Sequence, residues 1–463
     1  VIRNVLIANR GEIACRVIRA CRALGISTIA VYSEVDANAL HREMADHSVA
    51  IGPAPAAQSY LDSVKVLEAA RAHGADAVHP GYGFLSENAA FATAVREAGL
   101  AWIGPRPESM SAMGDKARAR QIAIESGVPV LPGSDRLPAD DPAAWQAAAQ
   151  AVGYPLLVKA VGGGGGIGMK RVDEPAALQA TIESAQAMAS KAFKHSEVYL
   201  ERFVSRARHV EIQIFGYGNG EAVHLFEREC SAQRRFQKIV EESPAPHLSA
   251  AALDGMAQAA LALARHQRYS GAGTVEFIVD AATQEFFFLE MNTRIQVEHA
   301  VTEAVTGWDL VQQQILLASG LAKPVAQADI RREGAAIECR VYAENPAKHF
   351  LPSPGRLERF RLPEESSDLR IDRGVREGDM VTPHYDPMIA KLIARGSTRR
   401  DALKTMQQAL AQTEILGIRH NVPFLQTLLA HPDFERGEID TGFVDRNRTE
   451  LLARMASAET NLA

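Results

Sequence analysis

The sequence predicts an α/β chain, α+β overall: a doubly wound parallel sheet at the amino end, a small unit around a glycine loop, and a larger body of mixed sheet. Three observations carry this. Strands and helices alternate through the first hundred residues, the arrangement of a parallel sheet covered on both faces. Six glycines fall within positions 162–168, between two β-rich stretches. From His209 the chain changes to longer strands and hairpins. At 463 residues it exceeds one compact core, so two or three domains are expected.

The first unit opens with the apolar strand Val5–Ala8 and a periodic helix, Glu12–Leu24, stopped by Gly25. Thr28–Tyr32 is a second strand. Tyr60–His73 is a helix closed by Gly74, and Ala75–His79 is a strand running into Pro80-Gly81-Tyr82-Gly83. Helix Asn88–Ala98 and a fourth strand, Ala101–Ile103, follow. The turns at Asn9–Glu12 and His79–Gly83 fall where strands end, which is where open sheets present ligand sites. Neither is a GxGxxG, so no dinucleotide is indicated. Asp115–Ser126 is a helix with Lys116 in its first turn. Beyond Leu131 come strand Leu156–Ala160, the glycine loop, strand Met169–Val172, helix Pro175–Ser190 and strand Glu197–Phe203. Alanine-rich Pro138–Ala151 reads as a low-complexity linker. In the body, Val223–Arg228 is a strand and Ala250–Arg268 a helix; Thr398–Thr413 and Pro423–Ala430 are helices near the end. The resulting division is 1–130, 131–204 and 205–447, with 448–463 as a tail.

The densest chemistry lies in Phe288-Leu-Glu290-Met-Asn292-Thr-Arg294-Ile-Gln296-Val-Glu298-His299. In an extended chain the period of two puts Glu290, Asn292, Arg294, Gln296 and Glu298 on one face. Thr274–Val279 lies just upstream. If Asp280–Gln284 closes a hairpin, residue 279 faces 285 and 276 faces 288, so Glu276 sits diagonal to Glu290 at about 7–8 Å. Carboxylates at that distance suit hard divalent cations. A half-solvated strand also alternates, but Phe286-Phe287-Phe288 buries this one, which favours a site.

Glycine lacks a β-carbon, so the amides of Gly162–Gly168 can turn inward on phosphate oxygens. A strand–loop–strand of this kind suits a mobile flap over a triphosphate better than a rigid cradle. Lys159 would point at the phosphates from the strand before the loop, and Lys116 from its helix start. Arg234-Arg235-Phe236-Gln237-Lys238 is either a solvated basic run or a small-anion pocket beside the acids.

The totals exclude other classes. A net charge of −6 argues against a nucleic-acid footprint. Cys15, Cys21, Cys230 and Cys339 form no zinc pattern and read as reduced thiols, a cytoplasmic setting. No apolar run reaches membrane-spanning length, so no membrane partner is expected. The chain opens on Val1 without an initiator methionine, as a trimmed or processed chain does, which leaves an organellar matrix open as well.

Seven motifs in order resemble the biotin carboxylase subunit or domain of biotin-dependent carboxylases, in the ATP-grasp superfamily, from about Ile2 to Asp445. They are Ile7-Ala-Asn-Arg-Gly-Glu-Ile13, His79–Asn88, Met113-Gly-Asp-Lys116, Lys159 with its glycine loop, Gln233-Arg-Arg, Glu290–His299 and Ile337-Glu-Cys-Arg340. The resemblance implies an ATP-dependent ligase that carboxylates biotin on a carrier from bicarbonate through carboxyphosphate. Its cofactors would be ATP, Mg2+ or Mn2+, and biotin as the carried substrate. It further implies that Lys116, Lys159, Glu201, His209 and Gln233 contact ATP, with amides near Gly165 and Gly166 on phosphate and the backbone of Arg202 and Val204 on adenine. Glu276, Glu290 and Asn292 would hold metal. Lys238, Arg294, Gln296 and the Val297 amide would hold bicarbonate, Glu298 would take its proton, and Arg340 would hold bicarbonate and the biotin ureido oxygen. Two positions depart from the family: Ile167 stands where arginine is common, and Phe236 where His or Asn is frequent.

No Met-Lys-Met biotin-attachment sequence occurs, so a carrier protein or domain and a carboxyltransferase subunit are the implied partners, with a homodimer through the C-terminal region and the first helix. The tail His431–Phe443 resembles acyl-CoA carboxylase α-subunits more than the free-standing bacterial subunit. Two competing readings remain at this stage: another ATP-grasp carboxylate-activating ligase, such as a carbamoyl-phosphate type, and a nucleotide-binding module without turnover.

Overall fold

The computed structural model describes residues 2–161, 169–193 and 196–462. The amino-terminal unit runs β1 (Asn4–Ile7), α1 (Gly11–Ala23), β2 (Ser27–Ser33), α2 (Leu40–Met44), β3 (His47–Gly52), α3 (Ser63–Ala72), β4 (Ala77–His79), α4 (Ala89–Glu97) and β5 (Ala101–Trp102). Its sheet has the order β3-β2-β1-β4-β5 with every pair parallel, the doubly wound sheet expected. β3 is the strand that sequence reading missed. It is an edge strand of His-Ser-Val-Ala-Ile-Gly, half exposed, with no alternation to betray it.

The ends of β1 and β4 meet at one edge of this sheet. Asn9 Nδ2 donates to Pro80 O (2.8 Å) and Tyr82 O (2.7 Å), locking the two loops together. Gly81 holds φ +63° there, and a β-carbon would stand 2.9 Å from that nitrogen, so the position tolerates only glycine. The helix α1 is buried on several sides, because the body packs against it: Arg16 reaches Glu303 (2.9 Å) and Asp309 (2.7 Å), and Arg19 pairs with Asp372.

Two helices, α5 (Pro107–Gly114) and α6 (Lys116–Glu125), lead to the glycine-loop unit: α7 (Pro142–Val152), β6 (Leu156–Ala160), β7 (Met169–Val172), α8 (Leu178–Phe193) and β8 (Val198–Arg202). The supposed linker is α7. Asp141 caps it by accepting from Ala144 N (3.0 Å), Pro142 begins it, and Trp145, Ala149 and Val152 bury one face. With Leu156, Val158, Ile182 and Leu200 they form a core separate from the others. The strands pair antiparallel in the order β7-β6-β8.

The body contains β9 (Ala207–Tyr217), β10 (Ala222–Arg234), β11 (Gln237–Ser243), α9 (Ala250–His266), β12 (Ser270–Asp280), β13 (Phe286–Asn292), α10 (His299–Thr306), α11 (Leu310–Ala318) and β14 (Ala335–Tyr342). Eight strands line up as β13-β12-β9-β10-β11-β14 followed by Met388–Gly396 and Leu369–Arg373, each neighbour antiparallel. Helices α12 (Arg399–Ala411) and α13 (Val422–Leu429) close its far end. A last helix, Phe443–Leu462, begins before the residues set apart as a tail and runs through them to Leu462. Among the described residues no helix is long and apolar enough to cross a membrane.

Candidate active site

The β12–β13 hairpin sets the site's acids. Val279 faces Phe286 and Phe277 faces Phe288, one residue later than the register expected. A bulge then skips Leu289, which turns out to 40% exposure, so Glu276 stands directly opposite Glu290 instead of diagonal to it. The acids are closer than the expected register allowed. A second expectation fails here: β13 ends at Asn292, and Arg294, Gln296 and Glu298 do not continue a strand. The chain turns inward after Asn292, burying Ile295, and Glu298 becomes the N-cap residue of α10. Folding, not pleat alternation, brings these three to the acids.

Lys238 on β11 is the hub. Its Nζ donates to Glu211 (2.6 Å), Glu276 (2.9 Å) and Glu298 (2.7 Å). Glu276 also accepts from Asn292 Nδ2 and Gln296 Nε2, both at 2.8 Å, and lies 2.8 Å from His209 Nε2. Glu298 accepts from Arg340 on its other oxygen (3.1 Å). Arg294 donates to Asn292 Oδ1 (2.9 Å) and reaches Glu87 of the amino-terminal unit (3.1 Å). Val297 O accepts from buried Lys391 (2.6 Å), fixing the turn that carries Glu298.

These contacts set the charges. Burial is the largest effect and pushes Glu276 and Glu298 up, but the neighbouring charges together outweigh it: Lys238 with His209 at Glu276, and Lys238 with Arg340 and Arg228 at Glu298. Glu276 is held well below the usual carboxylate range, and Glu298 is lowered as well. Glu290 moves the other way, raised by burial and by the charge of Glu276 opposite. Lys238 is held well above its ordinary value: burial opposes its charge, and the three carboxylates prevail.

At the nucleotide end, Lys159 on β6 pairs with Glu201 on β8. Gln233 donates to Cys230 O (2.9 Å) and meets His209 Nδ1 (2.8 Å). Lys116 begins α6, exposed, and its charge acts on Glu290. The Arg202 amide donates to Pro132 O (2.8 Å), so of the backbone expected to hold adenine, that nitrogen is spent; Val204 lies just past the strand. Gly165, Gly166 and Ile167 lie outside the described residues. The basic run divides: Lys238 enters the acid cluster, whereas Arg234 is bound to Glu344 and covers Tyr342. Arg235 and Phe236 make the turn at φ +50° and +62°.

Comparison with known proteins settles the family. Residues 1–110 match biotin carboxylase N-terminal domains, 115–324 the ATP-binding domain of the carbamoyl-phosphate synthase L chain, and 338–446 the biotin carboxylase C-terminal domain. Biotin carboxylase 1 of Bacillus subtilis is 46% identical over 444 residues, 96% of this chain and 98% of that protein. The chain belongs to the biotin carboxylase family. Mitochondrial methylcrotonoyl-CoA carboxylase subunit alpha of Dictyostelium discoideum is 47% identical over 98% of this chain, which spans 65% of that relative's length. The biotin carboxylase domain dimer of Hydrogenobacter thermophilus 2-oxoglutarate carboxylase, in complex with MgADP, ADP and bicarbonate, is 40% identical with a TM-score of 0.88 over 97% of this chain and 98% of that one. Campylobacter jejuni biotin carboxylase in complex with β-γ-ATP gives 0.89 at 40% identity, covering 96% and 99%.

Four residues of this biotin carboxylase site escaped sequence reading. Glu211 sits between Lys238 and Arg228, fully buried. Arg228 donates to Glu211 (2.5 Å), Gln213 (2.7 Å), Thr274 (3.1 Å), Gln296 (2.6 Å) and Thr302 (2.9 Å). The signal was present: His209, Glu211 and Gln213 alternate with Val, Ile and Ile, the period already used for β13. Glu87 lay within a quoted motif. Glu241 was hidden by a bulge in β11, where Gln233 faces Lys238 but Ala232 faces Val240. Ile239 and Val240 therefore both enter the core, and Glu241 returns to the face of Lys238.

The donor set suits a hard divalent cation. The carboxylates of buried Glu276 and half-buried Glu290 face each other beside an amide oxygen, and the charge of one raises the other, a repulsion that such an ion relieves. His209, Glu211 and Glu276 also offer ligand atoms within 4.8 Å of one another.

Proposed function

We propose that this chain is the biotin carboxylase part of a biotin-dependent carboxylase, transferring the carboxyl of bicarbonate to biotin with ATP as the energy source. One observation carries the reading: a single ammonium, Lys238, joins an acid of the metal pair, Glu276, to the candidate base, Glu298. Bicarbonate held by Lys238 would lie next to both the candidate base and an acid of the metal pair. Lys116 and Lys159 would bind the nucleotide, and Glu276, Glu290 and Asn292 would hold Mg2+ or Mn2+, which when bound would neutralise phosphate charge. Lys238, Arg294, Gln296 and the Val297 amide orient the anion. Glu298, ionised in the folded protein, takes its proton; the departure of Lys238 and Arg340 toward bicarbonate strengthens it as a base. Arg340 then steadies the ureido oxygen of biotin.

The same reading divides the chain at 130, 204 and 447. It assigns a biotinylated carrier and a carboxyltransferase as partners, a homodimer as the assembly, and the cytoplasm or an organellar matrix as the setting. Domains of biotin carboxylase type flank the ATP-binding domain on both sides, which disfavours a carbamoyl-phosphate enzyme. The test is incorporation of labelled bicarbonate into free biotin or a biotinylated carrier, strictly dependent on ATP. ADP binding without bicarbonate-dependent phosphate release overturns it.

A further inference from the structure

Beside Arg340 stand two carboxyls that the reaction leaves unused. Glu241 on β11 faces Glu338 on β14 directly across the ladder, and both are 0% exposed. Like charges in that position repel. Arg340 lies 2.5 Å from Glu241 and shares the same nitrogen with Glu298 at 3.1 Å. The two oxygens of Glu338 find no hydrogen-bond partner among the described residues.

The charges around the pair do not balance. Lys391, opposite Arg340 on Met388–Gly396, is the cation that most offsets Glu338, yet it stands 3.6 Å from Glu12 and 3.8 Å from Asp372 as well. Lys238, also felt by Glu241, is occupied by Glu211, Glu276 and Glu298. The neighbouring thiols of Cys230 and Cys339 are raised by burial and bring no compensating charge. Glu241 and Glu338 thus depend on an Arg340 shared with Glu298 and on a divided Lys391, and both carboxyls are shut away from water. A proton removes the excess.

We propose that Glu241 and Glu338 share one proton and that this neutralised pair positions Arg340 against Glu298. Burial supports this, pushing Glu338 well above the usual range and Glu241 up to about 7 against the pull of Arg340. With one proton held, a single negative charge balances Glu298 across the guanidinium. Loss of the proton adds a second charge and draws Arg340 away from Glu298. Both residues act through Arg340, so they are positioning residues. Their effect on turnover rests on the biotin carboxylase reading; the proton does not.

Infrared spectroscopy of the unmodified protein tests the proton directly. A neutral carboxylic acid band is expected at neutral pH, fading as the solution is made alkaline. Burial also raises Glu12, Glu242, Glu290 and Glu344, so the band is assigned by substitution. Glu338→Gln is expected to remove it and to flatten the alkaline limb of biotin-stimulated, bicarbonate-dependent ATP hydrolysis. Glu241→Gln shifts the band and raises the KM for biotin about tenfold, with the KM for ATP unchanged. If Glu338→Gln does not fold, the shift in Glu241→Gln decides the assignment. Absence of the band in the unmodified protein, or a band indifferent to the substitutions, overturns the proposal. A band that behaves as expected in a protein lacking bicarbonate-dependent hydrolysis overturns the functional reading and leaves the pair standing.

Discussion

Lys238 carries more of the site than its neighbours, because it is the one cation that Glu211, Glu276 and Glu298 share, and removing it leaves Glu276 with only the His209 imidazole beside it. Lys238→Met is expected to cost about 3–5 kcal/mol of stability, read from denaturant unfolding. Glu298→Gln keeps the shape but removes the proposed base. It should bind ATP normally and lose about 10²–10⁴-fold in bicarbonate-dependent phosphate release; normal turnover would reassign the base. Glu276, Glu298 and Asp372 are all lowered in the folded state, so their stabilisation is complete above the unfolded carboxylate range of about 4 and drains away as pH falls below it. Denaturant midpoints followed from neutral to acid pH should therefore fall steeply in that range, and more shallowly in Glu298→Gln. Phe236, 73% exposed on its turn, touches none of this acid network. Phe236→His should change the KM for ATP more than kcat, and equal changes in both would contradict that. The residues from Glu290 to Glu298 were legible because five polar side chains follow a triple phenylalanine. Glu211 and Arg228 were not, since each is one polar residue among several in its own strand and gains meaning only when strands pair.

At the scale of elements, the parallel sheet and the principal helices were readable from period and from Gly or Pro stops, whereas register was not. Two bulges decide the site. One skips Leu289 and sets Glu276 against Glu290; the other turns Ile239 and Val240 together into the core and returns Glu241 to the face of Lys238. Neither carries a glycine or proline, so no local signal announces the extra residue. The alanine-rich stretch misled for a different reason: its helix is fixed by a cap and by a buried face on which Trp145 is the one large side chain among small ones. Trp145 is buried and donates to Pro138 O at 2.8 Å. Trp145→Ala is expected to destabilise the glycine-loop unit by about 3–5 kcal/mol. Hydrogen exchange should rise in α7, β6 and β8 while β9 to β12 remain protected; equal loosening of both would mean that the units share one core.

Across the whole molecule, ion pairs tie the amino-terminal unit to the body: Arg16 to Glu303 and Asp309, Arg19 to Asp372, and Arg376 to Glu43. The sequence places Arg16 and Arg19 on one helix but offers no means of finding partners nearly 300 or more residues away. Glu87 makes the same kind of bond at the site itself, holding Arg294 from the other unit. Lys238, Arg294, Gln296 and Arg340 are thus each already engaged by a carboxylate. Admission therefore works by exchange, and a visitor must give something to the group it displaces. Bicarbonate has a hydroxyl to offer a released carboxylate. Nitrate is flat, singly charged and of similar size, yet it has no proton to donate, so even a large excess should compete poorly for the pocket.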